Sequence, residues 1–454
     1  MASSSPTPIV LFPYQEPAMP HLQKLVDENK PLVLMAASTG FGKTVMALEL
    51  MRRTGKKFGV VAPRATLSSW TGMAAKIGVS PEFVVNVEAI RTGNKKHARI
   101  LEKLSNYSWI WRGLDPGSFL IVDEVHRHGG LETQNAYLVA NARKQGINVV
   151  ALSATIGDSP LKLRLLLYLA GKVPWQQYYQ WARDHGCYRD DNINGHPWRF
   201  LRGAKARQIM EDLNSEFFPE FGVRLRSEDI PGFPKVQNIV DLVTPSDEAR
   251  RAVKEAYSTM AQELKNPNGA ANELVRMLRW RQRVEEEKLP VFKELVEEAL
   301  EEGMSVVASF NFTAPLFKFA ETMKAHSPAL IYGSDPEGRM QTSAERDEHK
   351  RRFQSNETKL CLLTIQAGGV GLSLGDEFGG HPRIAFHNLP LDSTSLVQLI
   401  GRIHRADSKT PSINRIVLLD GVAIEERVFK LLAGKVANLS ALQADSLDLS
   451  ALMS

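Results

Sequence analysis

The segment Ala37-Ser38-Thr39-Gly40-Phe41-Gly42-Lys43-Thr44 separates an apolar run, Leu32 to Ala36, from a helix-forming run, Val45 to Met51. A strand that gives way to a helix at a glycine loop opens a parallel-sheet unit, because parallel strands need such crossovers. The loop also carries its own chemistry. Glycines let successive N–H groups turn toward phosphate oxygens, and the following helix offers its positive N-terminal end. The spacing fits a nucleoside-triphosphate loop in which Thr39, Gly40 and Gly42 shape the cradle, Lys43 reaches the β and γ phosphates of ATP, and the Thr44 hydroxyl binds Mg2+. Ala37 stands where the strict GxxxxGK[ST] pattern has its first glycine.

The same alternation continues downstream. Phe58 to Ala62, Phe119 to Val122 and Val149 to Leu152 are further apolar runs that end at polar or glycine-bearing loops. In open α/β sheets ligands bind at the carboxyl ends of the strands, so these loops are expected to converge. A second alternation starts with a helix from Pro290 to Glu302 and runs through Ser305–Phe310, Ala329–Ile331, Lys359–Thr364, Arg383–His387 and Ile413–Leu419. Thr342 and Glu345 have capping-box spacing, and Thr394 to Arg405 reads as another helix. The expected fold class is therefore α/β, two tandem lobes of parallel sheet flanked by helices, which resemble RecA-like lobes, with a helical insertion between them. The expected divisions are 1–172, an insertion at 173–289, 290–435, and a tail at 436–454. Within the insertion Thr244 and Pro245 make a helix start. The tail reads either as a short amphipathic helix or as disorder.

Two further motifs sit where this layout needs chemistry. Asp123-Glu124-Val125-His126 ends a very apolar strand, and adjacent carboxylates there are costly unless a cation or a reaction uses them. Asp123 would hold magnesium through water, and Glu124 would orient and deprotonate an attacking water. Gln398-Leu399-Ile400-Gly401-Arg402-Ile403-His404-Arg405 has the form QxxGRxxR. On a helix Arg402 and Arg405 would share a face and could both reach the γ-phosphate, with Arg405 as the arginine finger. Hydrolysis would then require both lobes, and cleft closure could drive stepping along a strand.

Composition narrows the partners. The chain has 454 residues, 43% hydrophobic and 24% charged, which excludes disordered and fibrous classes. No apolar run approaches the roughly 20 residues of a membrane span, and the N-terminus lacks the layout of a secretory signal. Two cysteines, Cys187 and Cys361, are too few for a disulfide framework. An intracellular protein with no membrane partner is expected. The net charge of +5 is concentrated in two clusters: Lys95, Lys96, His97 and Arg99, and Arg199, Arg202, Lys205 and Arg207 beside Trp198 and Phe200. Each is either a phosphate contact or an exposed helix face.

From Phe12 to about Lys435 these motifs resemble the superfamily-two DEAD/H-box ATPases. The chain looks most similar to their Snf-type, chromatin-remodeller-like branch and its compact viral and phage relatives. Phe12-Pro13-Tyr14-Gln15 resembles the Q motif, which implies that Gln15 reads adenine. Ala62-Pro63-Arg64 and the residues to Trp70 resemble motif Ia, implying nucleic-acid backbone contact at Pro63 and Arg64. Ser153-Ala154-Thr155 matches the SAT motif, and the resemblance makes His126, Ser153, Thr155 and Gln398 coupling residues. Ser309 to Phe312 resembles motif IV, with Asn311 on nucleic acid. Thr364 to Leu374 resembles motif V, with Thr364 and Gly368 on nucleic acid and Gly371 on nucleotide. Phe233-Pro234-Lys235 through Pro245 resembles the Snf-type junction into the second lobe. The SAT motif departs from Snf-type usage, and no histone-reading module fits in the remaining residues. The resemblance implies an ATP-driven motor on nucleic acid, duplex DNA favoured, with strand unwinding on DNA or RNA and an ATPase-dead binding module as alternatives. Protein partners stay open.

Overall fold

Strands with apolar residues on both faces need cover on both sides, and this requirement shapes the whole chain. The computed structural model describes residues 11–38, 40–191, 197–264, 270–368 and 372–443. These divide into two compact units. One runs to Gly232 and takes up the chain again from Gly434, and the other runs from Phe233 to Ala433.

The strands of the first unit are β1 (Leu32–Ala37), β2 (Phe58–Val61), β3 (Val84–Val85), β4 (Leu101–Ser105), β5 (Ser108–Trp111), β6 (Phe119–Asp123), β7 (Asn148–Ser153), β8 (Cys187–Arg189), β9 (Trp198–Phe200) and β10 (Gly222–Leu225). Six of them form one parallel sheet in the order β10-β1-β7-β6-β2-β3. Two antiparallel hairpins, β4 with β5 and β8 with β9, stand beside it. Side chains alternate between two cores. Leu32, Leu34, Leu120, Val122, Val149 and Ala151 enter one, and Val33, Met35, Phe119, Ile121, Val150 and Leu152 enter the other. Each fully buried Val, Leu or Ile stabilises this layering by about 1.5–3 kcal/mol.

The second unit repeats the plan with β11 (Val236–Val243), β12 (Ser305–Phe310), β13 (Ala329–Ile331), β14 (Leu360–Thr364), β15 (Arg383–His387) and β16 (Ser412–Leu419). Its six strands are also parallel, in the order β11-β16-β15-β12-β14-β13. The expected fold class of two helix-flanked parallel sheets is what the structure shows.

The segment 173–289 is divided rather than set apart as an insertion. Its first part belongs to the first unit, where β10 adds an edge strand to β1, and its second part belongs to the second unit, where β11 lies at the sheet edge on β16. Strands of three or four residues, such as β8 to β10, are too short to show periodicity among Trp, Tyr and Arg. The β1–β10 approach also explains Gly222, whose Cβ would lie 1.8 Å from the Leu34 carbonyl oxygen.

Two helix boundaries also differ. The helix after β11 spans Asp247–Leu264, and the Ser246 hydroxyl, not Thr244, caps it by accepting from the Ala249 N–H. The helix before the arginines covers only Ser393–Ile400. The chain leaves it at Gly401, and the Arg402 carbonyl is taken by the Leu374 N–H from a neighbouring loop. The tail is helical at its start, within a helix that spans Ala423–Gln443. The Thr342–Glu345 capping box is present with both of its hydrogen bonds.

Candidate functional site

Because the first sheet is parallel, the loops after β1, β2, β6 and β7 leave the same edge. The loop after β1 turns through Gly40 and Gly42, whose φ values of +87° and +72° are left-handed. Gly42 caps the helix Lys43–Thr54, whose first turn contains no acidic residue to compete for its N–H groups. Lys43 Nζ folds over the loop and donates to the carbonyls of Ala37 (2.6 Å) and Ser38 (3.1 Å). This cradle fits a triphosphate: free turns of backbone, a helix N-terminus and one cation at the same place. Thr44 follows in the first helical turn, while Thr39 lies outside the described residues.

Gln15 braces the cradle from behind. Its side chain is buried, with Nε2 donating to the Phe41 carbonyl at 2.6 Å and Oε1 accepting from the Phe12 N–H at 2.9 Å. A Cβ on Gly42 would lie 2.5 Å from Gln15 Nε2. The amide expected to read adenine is thus also a prop of the phosphate loop.

Asp123 ends β6, and the Trp70 indole N–H donates to its Oδ2 at 3.0 Å. Burial and the Glu124 carboxylate push the Asp123 carboxyl up to about 6, against the pull of Trp70 and Lys43. Glu124 has a left-handed φ of +54°, a strained conformation for this residue type, and is buried. Sequence reasoning missed Trp70. Its only signal was a tryptophan at helical spacing after Pro63 and Arg64, and those two residues occupy the start of the loop after β2, Pro63 buried and Arg64 exposed.

His126 joins this loop to the next. Its Nδ1 lies 2.9 Å from Ser153 Oγ and 3.3 Å from Glu124 Oε2. The Ser153 hydroxyl has one proton, and the Thr155 carbonyl 2.6 Å away, which only accepts, takes it. His126 Nδ1 is therefore the donor to Ser153, while the buried Glu124 Oε2, 3.3 Å from the ring nitrogen, accepts no hydrogen bond from the described residues. The Thr155 N–H also donates to Ser153 Oγ, which closes the SAT turn. His126, Ser153 and Thr155 form one hydrogen-bonded unit spanning the ends of β6 and β7, with the Glu124 carboxylate beside it.

In the second unit Arg402 and Arg405 lie beyond the helix, yet they still converge. Both are buried, and both donate to the Leu372 carbonyl, at 2.9 and 2.7 Å. They meet because a turn, not a shared helical face, brings them together. Gln398 is buried on the preceding helix, and Thr364 is the last residue of β14. Gly368 ends the short helix Ile365–Gly368, and Gly371 lies outside the described residues. Asn311 has its donors committed within the protein: its N–H and Nδ2 bond the Glu285 carboxylate, and Nδ2 also reaches the Leu389 carbonyl. Burial pushes that carboxyl up to about 7, against the pull of Asn311, Lys288 and Arg281.

Behind the arginine turn runs a polar ladder that sequence reasoning missed. Ser309 on β12 and His387 on β15 are 3.0 Å apart, and His387 Nε2 lies 2.9 Å from Asn414 Oδ1 on β16. Asn414 Nδ2 then donates to Asn238 Oδ1 on β11 (3.1 Å) and to the Ile400 carbonyl (3.3 Å), at the helix end just before Gly401 and Arg402. With its amide hydrogens used, Asn414 accepts from His387 Nε2–H, so a neutral His387 accepts from Ser309 through Nδ1. Burial lowers the His387 pKa to about 4, which agrees.

Among the described residues no group of three or more His, Cys, Asp or Glu side chains could hold a metal ion by itself, so Thr44 and Asp123 would share magnesium with phosphate oxygens and water. No described helix is long and apolar enough to cross a membrane, and Cys187 and Cys361 are buried thiols.

Residues 8–158 match the family described as type III restriction enzyme, res subunit, and residues 287–407 match the helicase conserved C-terminal domain. A protein of Acanthamoeba polyphaga mimivirus, provisionally named an ATP-dependent RNA helicase, is 28% identical over 480 aligned positions, covering 98% of this chain and 86% of the relative. With the phosphate loop and acidic pair in the first matched domain and the arginine turn in the second, the chain carries the paired domains found in superfamily-two helicases and is an ATP hydrolase.

Proposed function

We propose that this helicase is a nucleic-acid-stimulated ATPase that tracks along duplex DNA, with the Snf-type arrangement of roles its motifs resemble. The observation that carries the coupling is the position of His126, whose Nδ1 bonds Ser153 Oγ and lies 3.3 Å from the Glu124 carboxylate. In this reading Lys43 and the N–H groups of the Gly40–Thr44 turn bind the triphosphate, and Thr44 and Asp123 hold magnesium. Bound ATP supplies the anhydride whose hydrolysis drives movement. Glu124 orients a water and accepts its proton, and Arg402 and Arg405 neutralise charge that builds on the γ-phosphate. Pro63, Arg64, Thr364 and Gly368 contact the nucleic-acid backbone. Asn311, whose amide is held by Glu285, acts by fixing the loop after β12 rather than by reaching out.

The duplex-DNA track rests on the resemblance of the motifs at residues 63–70, 309–312 and 364–374 to the Snf-type branch. A second reading, strand unwinding on RNA, draws on the name of the mimiviral relative. ATP turnover with duplex, single-stranded and forked DNA and RNA separates them. The largest stimulation by duplex DNA is expected. Stimulation by RNA alone replaces the first reading with the second, and equal rates with and without any nucleic acid overturn both.

A further inference from the structure

Between Val87 and Arg112 the chain carries six Lys or Arg against two Glu, an excess of four in a chain whose net charge is +5. This stretch lies between the motif-Ia-like loop and the acidic pair, and nothing in the roles above uses it. It contains a 3-10 turn, Lys95–His97, followed by the hairpin of β4 and β5. The turn and the hairpin are one structure. Arg112 and Gly113 N–H groups donate to the Ile100 carbonyl at the hairpin base, and a Cβ on Gly93 would lie 3.0 Å from Lys103 Cβ. Lys103 on β4 is therefore packed beside the turn that bears Lys95 and Lys96.

Most of this charge is not neutralised within the fold. Glu102 is paired with Arg112 across the hairpin, and among the described residues Lys95, Lys96, Arg99 and Lys103 form no ion pair. Four cations held together without carboxylates repel one another, an arrangement a polyanion relieves. The hairpin end beyond Lys103 adds apolar surface: Leu104, next in sequence, is 57% and Tyr107, four residues on, is 52% exposed. The Tyr107 ring is not loose. It packs edge-to-face on Tyr137 at 4.9 Å, Tyr137 contacts Trp175, and Trp175 contacts Tyr168, so an aromatic array runs inward from the hairpin end. The rest of the hairpin is anchored by Leu101, Trp109 and Trp111 in the first unit's core.

We propose that the hairpin Leu101–Trp111 and its basic approach Lys95–Arg99 form a contact for single-stranded nucleic acid, with phosphates on Lys95, Lys96, Arg99 and Lys103 and a base stacked on Tyr107. Cations tracking a backbone beside a fixed aromatic ring are what an unpaired strand requires, because its bases are free to stack while those of a duplex are not. The inference rests on the nucleic-acid part of the proposed function and not on the choice of duplex DNA as the track.

Fluorescence anisotropy with labelled single-stranded and duplex oligonucleotides, together with ATP turnover, tests it. Tyr107→Ala should weaken single-strand binding roughly tenfold and leave duplex binding within twofold, and Tyr107→Phe should restore it. Lys95→Ala combined with Lys96→Ala should lower the slope of log affinity against log salt by about 1.4 for single strands, about 0.7 for each phosphate that is no longer neutralised. Basal ATP turnover without nucleic acid should be unchanged in every variant, since none of these residues belongs to the nucleotide site. Wild-type affinity and salt slope in both variants overturn the hairpin proposal while leaving the motor reading intact. Equal weakening on single strand and duplex overturns the stacking role of Tyr107. A wild-type protein that binds no oligonucleotide and is not stimulated by any overturns the motor reading and this proposal together.

Discussion

Trp70 Nε1 donates a hydrogen bond to Asp123 Oδ2 at 3.0 Å, joining a helix after β2 to the acidic end of β6 across 53 residues of sequence. The indole fixes one carboxylate oxygen of the residue that would, in the proposed function, hold magnesium through water. Trp70→Phe keeps a buried ring and removes the donor, a loss of about 1 kcal/mol. ATP turnover should fall about fivefold, with a higher magnesium concentration needed for half-maximal rate. An unchanged magnesium dependence would mean that Trp70 serves packing alone.

Glu124→Gln should bind ATP with near-normal affinity and turn it over at least about a hundredfold more slowly, since the amide cannot accept the water proton. His126→Ala should retain more turnover than Glu124→Gln while losing most of the stimulation by nucleic acid. Steady-state rates with and without a nucleic-acid activator measure both, and full stimulation in His126→Ala would remove the histidine from the coupling path.

Gly42→Ala places a Cβ at a left-handed φ of +72° and 2.5 Å from Gln15 Nε2. The conformation alone costs about 1–2 kcal/mol. ATP affinity should drop at least tenfold by titration with a fluorescent ATP analogue, and adding Gln15→Ala should recover only part, because the backbone strain stays.

Arg405→Ala should lose at least about a hundredfold in turnover with a small change in ATP affinity, the signature of a group that acts on developing charge. Arg402→Ala should do the same, and both variants should also destabilise, since both guanidinium groups hold the Leu372 carbonyl. Turnover and urea unfolding, measured on the same preparations, separate the two effects.

His387 gives a pH dependence with a defined sign. Its folded pKa of about 4 lies below the unfolded value of 6.5, so the unfolded chain binds the proton more readily. The stability it contributes is complete above pH 6.5 and is lost as pH falls toward 4, by up to roughly 3 kcal/mol. The raised carboxyls of Asp123 and Glu285 act in the opposite sense over an overlapping range, so the comparison is with His387→Gln. The unfolding free-energy gap between wild type and this variant should shrink from pH 7.5 to 4.5. A constant gap would show that His387 is not buried as a neutral ring.

The sequence alone determined the two parallel sheets and the loops that carry chemistry. Strands buried on both faces must be written as continuous apolar runs, such as Phe119–Val122, and a parallel sheet must present its polar loops at the ends of those runs. Gly40, Gly42, Lys43, Asp123 and Glu124 could be placed at strand ends because the chemistry proposed for them is local in sequence. Tertiary structure alone decided which groups those loops meet. Trp70 reaches Asp123, His126 bonds Ser153 beside the Glu124 carboxylate, Asn414 holds the helix end before Arg402, and Arg402 and Arg405 converge through a turn where helical periodicity predicted a shared face. The split of 173–289 between two units likewise follows from which sheet edge stood open for β10 and β11. Each of these depends on partners far away in the chain, and a hydrogen bond across tens or hundreds of residues leaves no period or spacing in the sequence that encodes it.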